Sequence, residues 1–253
     1  MDKELSTKKY TTSYEERIVA FVDILGFSSM VEKSAEDAEM YESIKLALET
    51  IQKVKANTDI KGAKVTTFSD SIVISYPTKT NGSLFIILIN LIHLQLNLLQ
   101  QGILVRGGIA KGQVRHVQEM VFGPAMVSAY ELESKYAVYP RIIVEKEVVD
   151  WEQDNYRKQV YGAEYDIDDL MHLLKKDEYN DIYYIDILHQ DQEVDQTEEY
   201  EIILRKLRTT IITGLKSKNK SVVMKYIWLK NYFNDIVTSY PRLLNELLIG
   251  DST

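Results

Sequence analysis

The chain has 253 residues, 45% hydrophobic and 27% charged, which is enough for one substantial core, and it carries a formal net charge of −8. That acidic excess argues against a nucleic-acid coat, so an anionic ligand must be held by metal ions or local arginines. The absence of cysteine excludes disulfides, thiolate metal sites and a cysteine nucleophile, and leaves oxygen or imidazole for any metal.

The opening "MDKELSTKKYTTSYEER" has no apolar run to serve as a signal peptide, so a loosely ordered N-terminus over 1–14 and a cytoplasmic protein are expected. "RIVAFVDIL" (17–25) is rich in Val, Ile and Phe and meets Gly26, the pattern of a buried strand ending in a turn. Ser28 or Ser29 is positioned to cap the next helix. Residues 30–55 carry apolar side chains at helical spacing, as one long or two short amphipathic helices. "KGAKVTTFSDSIVISYPTKTNG" reads as a hairpin with Asp70 at its turn.

The apolar stretch Leu84 to Leu99 is interrupted by Asn90, His93, Gln95 and Asn97, so it reads as a buried or interface helix rather than a membrane span. "ILVRGGIAKGQVRHV" and "EMVFG" read as strands, "PAMVSAYELESKYA" as a helix with Pro124 in its first turn, and "PRIIVEKEVV" as a return to the sheet. A short helix and an edge strand come next, then an acidic break. Two C-terminal helices are expected from Tyr200 onward, joined around Gly214 to Lys220. The order predicts an α+β fold, a mixed or antiparallel sheet with helices on one face.

An aspartate between Phe21-Val22 and Ile24-Leu25 is costly unless something positive neutralises it. Asp23 ends a strand and Asp70 sits on a hairpin turn, an arrangement in which two carboxylates can converge on Mg²⁺, which prefers hard oxygen ligands. "GFSS" opens a helix, and its backbone N–H groups would face an anion. Read from spacing alone, a capping Asp23 and an ordinary turn aspartate at Asp70 remain the alternative. His93 and His116 read as core and surface residues rather than ligands, and Lys225, Tyr226 and Trp228 as packing at helical spacing.

Four blocks, in order, resemble a class III nucleotidyl cyclase: "FVDILGF" (21–27), "FSD" (68–70), "VRGGIAKGQV" (105–114) and "VFGPAMVSAYELE". Within that superfamily "FSDSIVIS", "RGGIAKG", "YPRIIV", "YYIDIL" and "KYIWLKNY" are similar to the bacterial antiphage cyclases of the Pycsar type, which make cyclic pyrimidine mononucleotides. The resemblance implies a ferredoxin-like cyclase domain over 15–190 and a C-terminal helical extension over 191–253. It implies conversion of UTP, or CTP, to the 3′,5′-cyclic monophosphate and pyrophosphate, with two Mg²⁺ or Mn²⁺ ions held by Asp23, Asp70 and the Ile24 carbonyl. Gly26, Phe27 and Ser28 would cradle phosphates, and Thr66, Phe68 and Met120 would line the base pocket. It further implies a homodimer with active sites at the interface and a separate effector that responds to the product.

The family's adenine-reading lysine and acid are replaced here by Thr66 and Met120, which favours a pyrimidine. Its transition-state Asn and Arg are replaced by Val127 and Glu131, so Arg106 and Arg141 are the candidate cations. The alternative is a catalytically degenerate module that binds a nucleotide or a partner. A diguanylate cyclase lacks support because the Gly-Gly-acid-Glu-Phe turn is absent, and no hydrolase signature is present.

Overall fold

The computed structural model describes residues 13–57, 62–158, 166–177, 179–194, 197–240 and 245–250. The first strand, β1 (Glu15–Ile24), sets the plan, because alternate side chains point to opposite faces of a sheet. Ile18, Ala20, Val22 and Ile24 enter a large apolar cluster, whereas Val19 and Phe21 enter a smaller one on the other side. Asp23 follows Phe21 onto that second, less covered face.

The chain continues through α1 (Phe27–Ser34), α2 (Ala38–Asn57), β2 (Lys64–Phe68), β3 (Ser71–Pro77), α3 (Ser83–Gln100), β4 (Val105–Val117), β5 (Met120–Phe122) and α4 (Pro124–Glu131). It then forms β6 (Ile142–Val144), α5 (Lys146–Lys158), α6 (Ile167–His172), β7 (Leu174–Asp177), β8 (Ile182–Ile185), α7 (Thr197–Leu215) and α8 (Lys220–Ser239). The strands form one sheet in the order β2-β3-β1-β4-β6-β8-β7, with β5 paired to β4 off that path. Every pairing is antiparallel except β4 with β6, so the sheet is mixed and the fold is α+β, as expected.

The larger face carries the main helical layer. Leu84, Ile87, Leu88, Leu91 and Ile92 of α3 are fully buried there, and Ile203, Leu204, Leu207 and Ile211 of α7 and Phe233 and Ile236 of α8 join the same cluster. Among the described residues α3 is the one helix long and apolar enough to cross a membrane, and 61% of it is buried inside the protein. Its leucines are thus spent on the core, where truncating one to alanine costs about 2–5 kcal/mol.

On the smaller face α4 lies directly on β4 because Gly108 has no side chain. A Cβ there would come within 2.4 Å of the Ala129 carbonyl oxygen and of Leu132 Cβ. The helix does not run on uniformly to residue 137. It widens into a π turn, Leu132–Tyr136, in which the Ala137 N–H donates to the Leu132 carbonyl five residues back at 2.8 Å.

The strand expected over "PRIIVEKEVV" is only three residues long. From Lys146 the chain is α5, because Val148 and Val149, both fully buried, are needed on a helix that packs against α3. Tertiary burial overrides the β preference of the two valines. The C-terminal helices are separated as expected, and Asn219 caps α8 by accepting from the Ser221 N–H at 2.9 Å. Of the N-terminal segment read as loose, residues 1–12 lie outside the described residues, while Tyr14 meets the Phe122 ring edge-on at 5.8 Å.

Candidate active site

Strand register assembles one row of side chains across the second face. Phe68 pairs with Ser71, Ser71 with Asp23, and Asp23 with Arg106. Arg141 extends the row, since it precedes Ile142, the partner of Gly107, and its carbonyl accepts from the Gly107 N–H at 3.2 Å. The turn between β2 and β3 is drawn in by the Ile24 N–H, which donates to the Asp70 carbonyl at 3.3 Å, and Ser69 takes a left-handed conformation (φ 52°) to close it. The Asp23 and Asp70 carboxyls become hydrogen-bonding neighbours as a result.

Burial and the Asp70 carboxyl together push the Asp23 pKa up to about 7, although the Ser71 hydroxyl donates to Asp23 Oδ1 at 3.1 Å. Two acids held this close therefore cannot both ionise near neutrality without a cation. Among the described residues the cation that meets the pair is Arg106, whose Nη2 lies 3.7 Å from Asp23 Oδ2. Arg106 is also engaged from the other side, with Nε 2.7 Å from Glu133 Oε1. Its N–H is not aimed along that line, so this contact is coulombic rather than a formed hydrogen bond.

Glu133 belongs to the π turn and is only 2% exposed. Its carboxyl is held above the usual range by burial, with Arg106 opposing that and the Asp70 charge adding to it. It was not among the residues singled out from sequence. The available signal was indirect: "RGGI" lets a helix lie on Gly108, and an acid one turn on, in "ELESK", is then carried toward the preceding arginine.

The remaining candidates fall into different settings. Gly26 caps α1 in a left-handed conformation (φ 80°) with open space where a side chain would be, so neither Ser28 nor Ser29 is the cap. No acid stands in the first turn of α1, and Phe27 and Ser28 begin it. Phe68 and Met120 are exposed, at 45% and 58%.

Thr66 is fully buried and its hydroxyl is committed. It donates to the Gln118 carbonyl at 2.9 Å and lies 2.9 Å from His116 Nε2, while His116 Nδ1 lies 2.8 Å from Ser75 Oγ. Arg17 Nε donates to Ser75 Oγ at 2.9 Å, so the order of donors assigns the proton of His116 to Nε2. His116 is thus a core residue, held neutral with its pKa pushed down to about 4 by burial and by Arg17 and Lys64. His93 is the more exposed of the two and pairs with Glu193 at 3.0 Å.

Arg141 is enclosed. It is 5% exposed, pairs with Asp177 at 2.8 Å, and has the rings of Tyr139, Tyr184 and Trp228 at 5.1–5.5 Å from its guanidinium carbon. Among the described residues no group of three or more His, Asp or Glu side chains is arranged to hold one metal ion. The donors on offer are therefore the two aspartates and neighbouring backbone carbonyls.

No family model matches the chain, and no curated protein matches it. Solved structures align with it partially. The adenylyl cyclase CyaB from P. aeruginosa aligns over 68% of this chain and 94% of its own, at 15% identity and a TM-score of 0.47. A bacterial light-regulated adenylyl cyclase aligns over 77% of this chain and 99% of its own, at 16% identity and a TM-score of 0.43. An adenylate/guanylate cyclase/hydrolase from Silicibacter pomeroyi aligns over 68% of this chain and 95% of its own, at 15% identity and a TM-score of 0.37.

Proposed function

We propose that the protein is a nucleotidyl cyclase that converts UTP, or CTP, to its 3′,5′-cyclic monophosphate and pyrophosphate. The observation that carries this reading is the pair of aspartates. Asp23 and Asp70 are brought into contact by the β1 end and the β2–β3 turn, and burial together with the Asp70 carboxyl raises Asp23 to about 7. A carboxylate pair with hard oxygen donors and too little positive charge fits divalent cations such as Mg²⁺ or Mn²⁺. Asp23, Asp70 and the Ile24 carbonyl would hold two of them, and such ions supply activation of a ribose hydroxyl and neutralisation of departing phosphate.

The chain's own groups account for the rest. The ribose 3′-oxygen bonds to the α-phosphorus as its proton passes to water, and the bond from the α-phosphorus to the bridging oxygen breaks and releases pyrophosphate. Backbone N–H groups of Gly26, Phe27 and Ser28 hold the β- and γ-phosphates at the start of α1. Arg106, anchored by Glu133, directs positive charge at the phosphorus oxygens. Arg141, enclosed as it is, positions β6 and the adjoining Arg106 rather than touching phosphate. Phe68 and Met120 line the base pocket, and Thr66 supports it from behind through the Gln118 carbonyl. With no lysine or acid at the base-reading positions, a pyrimidine suits the pocket better than adenine.

Exposed apolar side chains on or beside the same face, among them Val127, Tyr130, Tyr136 and Val138, support a homodimer closed over the two sites. In the cytoplasm the product would act on a separate effector in antiphage defence, a role that rests on the family resemblance alone. A degenerate, nucleotide-binding module is the second reading, and Val127 favours it, being 57% exposed where the resembled family has its transition-state Asn.

The test is incubation with ATP, GTP, CTP and UTP, in Mn²⁺ or Mg²⁺, with chromatography for the cyclic product and Asp70→Asn as control. One dominant cyclic pyrimidine, lost in the variant, is expected. Metal-dependent nucleotide binding without any product would establish the second reading.

A further inference from the structure

The second face of the sheet holds a run of buried polar side chains that no step of the cyclase reaction uses. Arg17, Thr66, Ser75 and His116 are each at most 1% exposed, although they come from four different strands. Alternation along those strands turns all four to the side that carries Asp23. Burying a polar group is costly unless its hydrogen bonds are met, and here the four meet one another. Arg17 Nε donates to Ser75 Oγ at 2.9 Å, and Ser75 Oγ lies 2.8 Å from His116 Nδ1. His116 Nε2 lies 2.9 Å from Thr66 Oγ1, and Thr66 donates to the Gln118 carbonyl at 2.9 Å. Thr66 has one hydroxyl proton and gives it to that carbonyl, so His116 donates from Nε2, Ser75 donates to Nδ1, and the whole run has one direction.

The run ends where backbone pairing of the main sheet does not reach. β2 is an edge of that sheet, and β5 pairs with β4 off its path. Gln118 lies exposed in the turn between β4 and β5, in a left-handed conformation (φ 53°) that a glutamine adopts only at a cost. The bond from Thr66 to Gln118 therefore ties the β4–β5 turn to β2 across the face. Phe68 stands two residues beyond Thr66 on the same side of β2, and Met120 stands two residues beyond Gln118. One buried tie thus governs how far apart these two exposed side chains stand.

We propose that His116 is a positioning residue for base selection: its hydrogen bonds to Ser75 and Thr66 clasp the β4–β5 turn to β2 and set a gap between Phe68 and Met120 that admits a pyrimidine and rejects a purine. This rests on the cyclase reading, which places the base against those two side chains. The clasp acts through shape. A one-ring base fits a narrower slot than a two-ring base, and this slot widens only by leaving a buried donor and acceptor unpaired.

The experiment is titration calorimetry of the full chain, in Mn²⁺, with the α,β-methylene analogues of UTP and ATP, whose bridging carbon resists the reaction. The readout is the ratio of the two affinities, because a merely structural loss weakens both alike and cancels. Thr66→Val keeps the shape and removes the hydroxyl, Thr66→Ser keeps the hydroxyl, and His116→Phe keeps a ring and removes both nitrogens. Wild type is expected to favour the uridine analogue. Thr66→Val and His116→Phe should each lose about tenfold of that preference, and Thr66→Ser should stay within about threefold of wild type. An unchanged ratio in Thr66→Val or in His116→Phe overturns the proposal and leaves the cyclase reading intact. So does a lost preference in Thr66→Ser, which would assign the effect to the methyl group. The expected order of ratios in a protein that forms no cyclic product upholds the clasp and removes only the reaction. A wild type that binds neither analogue, or binds the adenosine analogue as well as the uridine one, overturns it.

Discussion

Arg106 and Glu133 face each other at 2.7 Å, one from the strand that begins beside Asp23 and the other from a π turn nearly closed to solvent. The turn places the acid behind the arginine, and the 3.7 Å approach of Arg106 to Asp23 leaves room for a stronger ligand. In Glu133→Gln the anchoring charge is lost while the shape is kept, so Arg106 moves fully onto Asp23. The expected result is a fall in kcat of about 10–100-fold and a higher Mn²⁺ concentration for half-maximal activity. Unchanged metal dependence would show that Glu133 only fills space.

Asp70→Asn should separate activity from stability. Removing the charge relieves Asp23 in part, because its pKa is raised first by burial and then by the Asp70 carboxyl in the metal-free fold. Because the pair is part-exposed, the relief is discounted to about 1–2 kcal/mol, or a melting temperature about 2–6 °C higher for a chain of this size. Calorimetry in a chelator reads that rise, and added Mn²⁺ should stabilise wild type but not the variant. A lower melting temperature in chelator would contradict the carboxylate repulsion.

The pH dependence of the metal-free protein contains two opposing contributions. Asp23 titrates near 7 in the fold instead of its ordinary 3.8, so between these values the folded state holds a proton the unfolded chain has released, and stability falls as pH rises. His116 titrates near 4 instead of 6.5, so in that window the unfolded chain binds a proton the fold refuses, and stability rises with pH. The His116 shift corresponds to about 3 kcal/mol at most. Wild type should therefore be nearly flat from pH 4 to 6.5. Asp23→Asn should gain stability with pH across that range, and His116→Gln should lose it. Parallel curves for all three proteins would rule out both shifts.

Much of this layout was legible in the chain. The alternation of "RIVAFVDI" and the turn signal around Asp70 located both acids, and strand pairing brings them together through the Ile24–Asp70 backbone bond. Hidden from sequence were contacts that depend on helices meeting the sheet. Glu133 reaches Arg106 only because Gly108 admits α4 so closely, and Arg141 is enclosed only because Trp228 of α8 stacks on Tyr139 beside it. Thr66 and Arg141 were readable as polar groups near the site. Their hydrogen bonds to His116 and Gln118 and the ion pair to Asp177 involve residues 36–52 positions away, a distance no local pattern encodes.

Gly108→Ala tests whether the closeness of α4 is what builds the site. The added Cβ would fall within 2.4 Å of backbone at Ala129 and of Leu132 Cβ, neither of which is the mobile end of a side chain. The helix must therefore lift, at a cost of about 1–3 kcal/mol. Lifting α4 carries the π turn away, parts Glu133 from Arg106 and disturbs the exposed apolar surface of Val127 and Tyr130. Turnover should fall at least as far as in Glu133→Gln, and the variant should be more monomeric by light scattering, whereas Glu133→Gln keeps the assembly of wild type. If Gly108→Ala lost activity but kept wild-type assembly, the apolar surface of α4 would have no part in dimerisation, and Arg106 would depend on Glu133 alone.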